Sequence, residues 1–297
     1  MQKPIVIAEI GCNHKGDMEI AHKMIKLLGT FKLFDENSNI NIVKFQKRTN
    51  KELLSEEEYN APHPNPINSY GETYGKHREF LEFNLEQNRQ LKKWCEEEGL
   101  IYSTSTWDLT AAKEIVSLNP QLIKVPSASN LNFPMLEYLR DCYKGEIHIS
   151  FGMTTQAEER KIINFFKEKN RAKDLVIYAC TSGYPVDFED ICLKEITRIK
   201  DSYGQDVKAI GFSGHHLGIA ADIAALALGA TYFERHFTLN RTWKGTDHAA
   251  SLEPQGMQKL ARDLRNVAKS LNYKENELLD VEITQRNKLK RLAEKVL

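Results

Sequence analysis

The sequence predicts a closed (β/α)8 TIM barrel, an α/β fold built as a single domain. Three observations lead to this prediction: short apolar runs rich in β-branched residues alternate with helical patterns, the alternation occurs eight times, and the eight units fill most of the 297 residues. Continuous apolar strands separated by helices indicate a parallel sheet covered on both faces. Eight units in a chain of this size are typical of the barrel, and an open doubly wound sheet is the alternative.

The eight units follow one another along the chain. The first strand, PIVIAEIG (4–11), precedes a helix at 17–29 whose apolar residues have helical spacing. The second strand, INIVKFQK (40–47), precedes a helix at 85–99. The remaining strand–helix pairs are 100–105 with 110–118, 121–127 with 134–142, 146–152 with 157–169, 174–182 with 188–200, 207–215 with 219–229, and 231–238 with 255–271.

Two segments interrupt this alternation. Positions 48–84, rich in Pro, Asn and Tyr, predict a long loop after the second strand, and structureless loops of this length are usually functional. The charged tail at 275–297 is expected to be helical, either packed on the barrel or projecting from it. We therefore divide the chain into a barrel domain at 1–272 and a charged helical tail at 273–297.

Composition and charge exclude several classes of function. With 41 Lys+Arg against 41 Asp+Glu the net charge is zero, which argues against binding to nucleic acid or to an anionic membrane. The five cysteines are odd in number and lack CxxC spacing, so we expect a reducing compartment and no disulfide framework. No secretion-type start and no apolar run of roughly 18 residues is present. A cytoplasmic protein with a small ligand in a pocket is expected.

Polar and charged residues occupy the carboxyl ends of the predicted strands, where barrels of this kind build their active sites. They are Glu9, Lys44, Gln46, Ser103 to Ser105, Lys124, Ser127, Ser150, Cys180 to Ser182, Ser213, His215, Glu234 and His236. Lysines and hydroxyls donate to phosphate and carboxylate oxygens, so this ring indicates an anionic, phosphorylated ligand.

Histidines near the last two strands suggest a metal site. His215 ends the seventh predicted strand and His236 lies late in the eighth, and these strands are neighbours in a closed barrel. The two rings could bind a divalent ion, with Glu9 or water completing the shell, or each could be a hydrogen-bonded strand-end histidine. Strand alternation points His216 to the opposite face, so we expect a structural role for it. For His14 the alternatives are a loop cap and a site residue.

Seven stretches resemble the sialic acid synthases. They are IAEIGCNHKGD, VKFQKR, TYGKHREFLEF, IKVPSASNLNFPMLEYL, CTSGYPVDFEDICL, GFSGHHLGIA and ERHFTLNRTWKGTDHAASLEP, which follow the family's order, and the resemblance covers positions 4–270. That family condenses phosphoenolpyruvate with N-acetylmannosamine or its 6-phosphate to a nonulosonic acid. The resemblance therefore implies a transferase of this kind, and the TYGKH and WKGTDHAASLEP stretches look like the animal-type branch that uses a phosphorylated acceptor.

The resemblance also implies site residues. Phosphoenolpyruvate would be held by Lys44, Ser105, Lys124, Ser127, Ser150 and Ser213, and the acceptor sugar would be contacted by Gln46, Tyr184 and Asp247, to which we add Tyr74 from the long loop. His215 and His236 would hold a divalent metal ion, with Mn²⁺ expected and Mg²⁺ or Co²⁺ as alternatives. Glu9, near the metal and the reacting carbons, is the catalytic candidate for proton transfer.

Two departures from the family pattern concern the acceptor. PSAS places Ser129 where the family usually has an acidic contact to the acceptor sugar, and the sequence stops at Leu297 where relatives usually continue into an antifreeze-like domain. We therefore expect no such domain, and a homodimer is possible. As the acceptor we expect a phosphorylated or non-acetylated aldose in preference to free N-acetylmannosamine. Replacement contacts are expected from the long loop, which carries Arg48, Asn68, Tyr74, His77 and Arg78.

Two other functions compete with this interpretation. The first is a metal-dependent sugar isomerase or epimerase barrel, which would release no inorganic phosphate. The second is a non-catalytic barrel that serves as a subunit or scaffold. Lys44, Lys124, His215 and His236 argue against a scaffold, which has no need of these side chains.

Overall fold

Eight parallel strands form the centre of the molecule in the computed structural model, which describes residues 3–34 and 38–290. They are β1 (Ile5–Gly11), β2 (Ile40–Lys47), β3 (Ile101–Thr106), β4 (Leu122–Val125), β5 (Glu146–Ser150), β6 (Leu175–Cys180), β7 (Ala209–Gly214) and β8 (Tyr232–His236). The strands pair in chain order and β8 pairs with β1, so the sheet closes on itself. The predicted (β/α)8 barrel is confirmed, and the open doubly wound alternative is wrong.

Helices surround this barrel. They are α1 (Met18–Phe34), α2 (Asn50–Leu53), α3 (Glu56–Asn60), α4 (Tyr74–Leu81), α5 (Leu85–Glu97), α6 (Leu109–Ser117), α7 (Phe133–Cys142), α8 (Gln156–Lys167), α9 (Lys194–Tyr203), α10 (Ala220–Leu228), α11 (Pro254–Ser270) and α12 (Asp280–Leu289). The helix predicted at 188–200 is wrong in its first part, because α9 begins only at Lys194. Cys192 has a φ of 52°, a left-handed conformation that a right-handed helix cannot contain.

Apolar side chains fill the barrel near the amino-terminal ends of its strands. Ile7, Ile42, Leu122, Val176 and Tyr178 are buried together inside it, and a larger cluster packs the outer faces of the strands against the helices. Burial of each such large apolar side chain contributes about 1.5–3 kcal/mol. The interior is therefore a packed core, and the space for a ligand lies at the carboxyl ends of the strands.

The segment at 48–84 is not the structureless loop that the sequence predicts, because it contains α2, α3 and α4. A capping box begins α3, in which the Ser55 hydroxyl accepts a hydrogen bond from the Glu58 backbone N–H at 3.2 Å. The segment reaches the loop after β8: the Tyr70 hydroxyl donates to the Lys244 carbonyl, and the Gly245 N–H donates to the Asn68 side chain at 3.3 Å. Two distant parts of the chain thus meet at one end of the barrel.

The tail forms a helix where it is described. Helix α12 covers Asp280–Leu289 and its side chains are mostly exposed, whereas residues 291–297 of the predicted tail lie outside the described residues. The division of the chain at 272/273 stays a prediction. Within residues 3–34 and 38–290, none of the helices combines the length and the apolar composition needed to cross a membrane.

Candidate active site

One cavity of about 710 Å³ opens at the carboxyl ends of the strands. All thirteen residues that the sequence proposes for the site line it: Glu9, Lys44, Gln46, Tyr74, Ser105, Lys124, Ser127, Ser150, Tyr184, Ser213, His215, His236 and Asp247. The long segment adds Arg48, Asn68, His77 and Arg78 to the lining, as expected. The structure therefore brings the proposed residues together, while the role of each stays a prediction.

The two lysines are each held by a serine on the next strand. Lys44 on β2 donates from Nζ to the Ser105 hydroxyl on β3 at 2.6 Å, and Lys124 on β4 donates to the Ser150 hydroxyl on β5 at 2.7 Å. The Ser127 hydroxyl accepts a hydrogen bond from the Gly152 N–H at 3.0 Å. Both lysines are buried, so their charges are available to an anion in a poorly hydrated site where electrostatic attraction is strong.

Glu234 links the two lysines, a role that the sequence analysis did not assign. Its Oε1 lies 3.3 Å from the Lys124 Nζ and accepts from the Ser213 hydroxyl at 2.9 Å, while its Oε2 lies 3.7 Å from the Lys44 Nζ. Burial alone would raise the pKa of Glu234, but Lys124 and Lys44 hold it well below the usual range. In the sequence Glu234 belongs to the polar residues at the strand ends and lies two residues before His236, on the same face of β8, but neither signal indicates its contacts with the lysines.

Glu9 lies beside this network, and its pKa is shifted in the opposite direction from that of Glu234. It is buried and its carboxyl group contacts the Lys44 Nζ, and burial, the largest cause, raises its pKa to about 8. Gly11, with a φ of 54°, leaves space around it: a Cβ there would lie 3.0 Å from the Glu9 Oε1, 3.6 Å from the His236 Cε1 and 3.7 Å from the Gln46 Nε2. The glycine thus keeps open the place where Glu9, His236 and Gln46 converge.

The two candidate metal ligands face each other. His215 immediately follows β7, His236 ends β8, and their ring centroids are 5.6 Å apart. The His215 Nδ1 lies 3.0 Å from the Thr181 carbonyl, which requires a proton on Nδ1 and leaves Nε2 as an acceptor. Burial and then His236 lower the pKa of His215 to about 3, and burial also lowers the pKa of His236.

Few of the described side chains near these two histidines could help to bind a metal ion. Among the described residues, the His236 Nδ1 is buried without a hydrogen-bond partner, and the Asp247 Oδ2 lies 4.0 Å from it. Across residues 3–34 and 38–290, no group of three or more His, Cys, Asp and Glu side chains is arranged to hold a metal ion.

Two further histidines lie outside the cavity lining. His216 points away from His215, as predicted, and its Nε2 lies 3.2 Å from the Asp222 carboxylate within the protein. His14 accepts a hydrogen bond on Nδ1 from the Gly16 N–H at 3.0 Å and stacks on Phe83 with ring centroids 4.0 Å apart. Of the two roles considered for His14, the structure supports the loop cap.

Contrary to expectation, Ser129 does not line the cavity. It is buried, and its hydroxyl donates to the Trp107 carbonyl at 2.7 Å, whereas the preceding Ser127 and Ala128 line the cavity. The expectation that Ser129 replaces a direct sugar contact is therefore corrected. The 3₁₀ turn at Ser127–Ser129 directs that side chain toward the backbone after β3.

Comparison with known proteins identifies the family. The model of the NeuB family matches residues 35–276. The chain belongs to the NeuB family of sialic acid synthases. It is 37% identical over 290 residues to human N-acetylneuraminate-9-phosphate synthase, a match that covers 96% of this chain and 76% of that protein. It is 30% identical to the N,N'-diacetyllegionaminic acid synthase of Campylobacter jejuni, across 91% of this chain and 78% of the relative.

A solved structure supports the same assignment. The crystal structure of the N-acetylneuraminic acid synthetase from Leptospira borgpetersenii superimposes with a TM-score of 0.79 at 26% sequence identity, covering 98% of this chain and 93% of that one. The NeuB-family chain is accordingly a phosphoenolpyruvate-dependent enzyme that forms a carbon–carbon bond. This excludes the alternative of a non-catalytic scaffold.

Proposed function

We propose that this enzyme condenses phosphoenolpyruvate with an aldose in a reaction that depends on a divalent metal ion. The products are a 2-keto-3-deoxy sugar acid of the nonulosonic type and inorganic phosphate. The observation that carries the proposal is the convergence of two lysines, four serines, Glu9, His215 and His236 on one cavity.

The lysine–serine ring suits phosphoenolpyruvate. Lys44 and Lys124 each lie within hydrogen-bond distance of a serine hydroxyl, so several donors converge on one buried place. Charge-assisted hydrogen bonds to phosphate and carboxylate oxygens are stronger than neutral ones. Because the donors are already oriented, they can stabilise the departing phosphate without reorganisation or covalent chemistry.

Glu9 is suited to move the protons. C3 of phosphoenolpyruvate attacks the aldehyde carbon of the acceptor, and Glu9, protonated at neutral pH, donates its proton to the carbonyl oxygen, which becomes a hydroxyl. Water then adds at C2 and returns a proton to Glu9. The bond between C2 and the phosphate ester oxygen then breaks, the proton of the C2 hydroxyl passes to the departing phosphate, and the ketone forms. One water is consumed, and Glu9 ends as it began.

His215 and His236 would hold the metal ion. Burial lowers the pKa of both imidazoles, the His215 Nε2 can accept, and the His236 Nδ1 has no hydrogen-bond partner among the described residues, which fits Mn²⁺ or a similar ion that completes its shell with oxygen ligands. When bound, the ion would supply Lewis-acid polarisation of the acceptor aldehyde. The chain orients the two rings through their neighbouring strand ends.

The acceptor is proposed to be a phosphorylated or non-acetylated aldose in preference to free N-acetylmannosamine. The cavity includes the basic residues Arg48 and Arg78, whose charges suit a phosphorylated sugar. The human relative's name, N-acetylneuraminate-9-phosphate synthase, supports the phosphorylated form.

A panel of aldoses and their 6-phosphates tests the proposal. Each sugar is mixed with phosphoenolpyruvate, Mn²⁺ and enzyme, and phosphate release and product mass are measured, with reactions lacking phosphoenolpyruvate or containing EDTA as controls. We expect a product equal in mass to the aldose plus pyruvate, and loss of activity with EDTA. Absence of phosphate release with every aldose would refute the condensation, and full activity after chelation would refute the metal requirement.

A further inference from the structure

An aromatic side chain lies against one of the two lysines of the site. The Lys124 Nζ lies over the Tyr178 ring, 5.1 Å from the ring centre. Tyr178 is fully buried, belongs to the apolar cluster inside the barrel and lies outside the cavity lining. A cation within about 6 Å of an aromatic ring centre is attracted by the partial negative charge of the ring face, most strongly where water is excluded. Any influence of Tyr178 on a ligand is therefore exerted through Lys124.

Neighbours on both sides fix the position of this ring. The Tyr178 hydroxyl lies 2.7 Å from the His148 Nδ1, and the His148 Nε2 lies 3.4 Å from the Glu146 carboxylate. A carboxylate only accepts, so Nε2 carries the proton and Nδ1 accepts from the Tyr178 hydroxyl. Gly211 is the register partner of Tyr178 on β7, and a Cβ at that position would overlap the ring. The ring therefore has a defined position with respect to Lys124.

The charges around the two lysines do not balance. Glu234 is a carboxylate that both share: its Oε1 lies 3.3 Å from the Lys124 Nζ and its Oε2 lies 3.7 Å from the Lys44 Nζ. Glu9, which also contacts Lys44, has a pKa that burial raises to about 8, so it adds little negative charge at neutral pH. Burial is also the largest cause that lowers the pKa of Lys124. The charged form of Lys124 therefore needs stabilisation from another source.

We propose that Tyr178 is a positioning residue for the donor substrate, and that its ring keeps the Lys124 side chain charged and in place for phosphoenolpyruvate. The ring face supplies partial negative charge but no net charge. A second carboxylate in its place would also stabilise the ammonium group, but it would cancel the positive charge that attracts phosphate and carboxylate oxygens. Phosphoenolpyruvate as the anion that Lys124 binds is taken from the proposed function, on which this inference rests.

Fluorination of the ring tests the attraction at nearly constant ring volume. Fluorine withdraws electron density from the ring face, so each added fluorine weakens the attraction for a cation. Tyr178 is replaced by phenylalanine and by phenylalanines that carry one, two or three ring fluorines, and the Kd of phosphoenolpyruvate is measured by calorimetry. We expect Tyr178→Phe, which keeps the ring, to bind within about threefold of the wild type, and the trifluorinated variant to bind about tenfold more weakly than Tyr178→Phe.

Tyr102 provides the matched control. It is buried in the cluster between the strands and the helices, and its hydroxyl donates to the Asn88 Oδ1 at 2.8 Å, so the same substitutions there should leave the Kd unchanged. A Kd that is independent of fluorine content at position 178, or that changes equally at position 102, would overturn the inference and leave the condensation intact. If Tyr178→Phe does not fold, fluorinated tyrosines, which keep the hydroxyl bonded to His148, are used with the same expectation.

Absence of phosphoenolpyruvate binding in the wild type would instead refute the donor assignment itself. The contact between Tyr178 and Lys124 is then decided by urea unfolding of the same fluorinated series, measured with and without Lys124→Met. A loss of stability with each fluorine that disappears in the Lys124→Met background supports the attraction between the ring and the lysine, and equal losses in both backgrounds overturn it.

Discussion

Replacing Lys124 with methionine should affect stability and donor binding for different reasons. Lys124 is buried, 3.3 Å from the Glu234 Oε1. At an effective dielectric constant of about 20, opposite charges at this distance attract by about 5 kcal/mol, and desolvation offsets part of that gain. Removing one partner of a buried pair lowers the free energy of unfolding by about 3–5 kcal/mol. Because the Lys44 Nζ remains 3.7 Å from the Glu234 carboxylate and balances part of its charge, we expect a loss near the lower limit.

A double-mutant cycle with Glu234→Gln separates these two effects. The neutral amide needs no counter-charge, so the double variant should recover about 2–3 kcal/mol relative to the sum of the single losses. Affinity for phosphoenolpyruvate should not recover, because the cation that binds it is absent; a lost charge-assisted bond of about 1.5–3 kcal/mol weakens binding tenfold or more.

Urea unfolding and calorimetry of phosphoenolpyruvate binding measure the two quantities. Lys208→Met is the control, since it removes a partly exposed lysine that pairs with Glu146 at 2.6 Å, and such surface pairs contribute at most about 1 kcal/mol. Strictly additive stability losses would refute the proposed pairing of Lys124 with Glu234. Restored donor affinity in the double variant would refute the role of Lys124 in binding phosphoenolpyruvate.

Three further predictions concern the metal, the space at Gly11 and the acid stability of the barrel. His215→Ala and His236→Ala should each abolish turnover and most Mn²⁺ binding with the circular dichroism spectrum unchanged; wild-type Mn²⁺ affinity in both variants would contradict the ligand assignment. Gly11→Ala should lower kcat/KM at least tenfold with a stability loss of about 1 kcal/mol, because its Cβ would approach the Glu9 carboxylate at 3.0 Å in a left-handed backbone conformation; wild-type kinetics would show that this space is not used. A hydrogen bond from His148 lowers the pKa of Glu146 to about 2, so this carboxylate stabilises the fold above its unfolded pKa, and the gain disappears as the pH falls from about 4.3 toward 2. After allowance for solvent screening, Glu146→Gln should lower the free energy of unfolding by about 1 kcal/mol at pH 7 and much less at pH 2.5, and an equal loss at both pH values in urea titrations would contradict this.

The sequence by itself determined the barrel and the identity of the lining residues. Strand and helix patterns have different local periods, and eight alternations of them indicate a parallel barrel whose strand ends share one face. Lys44, Lys124, His215 and His236 could therefore be assigned to one site, and all line the observed cavity. The long segment was assigned correctly to that face although its helices were missed, because α2 and α3 are only four and five residues long and have little periodicity to detect.

Only the tertiary structure decided which of these groups have partners. The contacts of Glu234 with both lysines and the ion pair of Arg48 with Glu82 depend on strand register and on how the segment after β2 packs near the strand ends. Ser129 likewise turns to a backbone carbonyl instead of the cavity. Local sequence patterns specify which face a side chain occupies, whereas distances between side chains from separate strands arise only when the sheet closes and the loops pack. Pairing, burial and protonation state depend on those distances, so they belong to the folded chain.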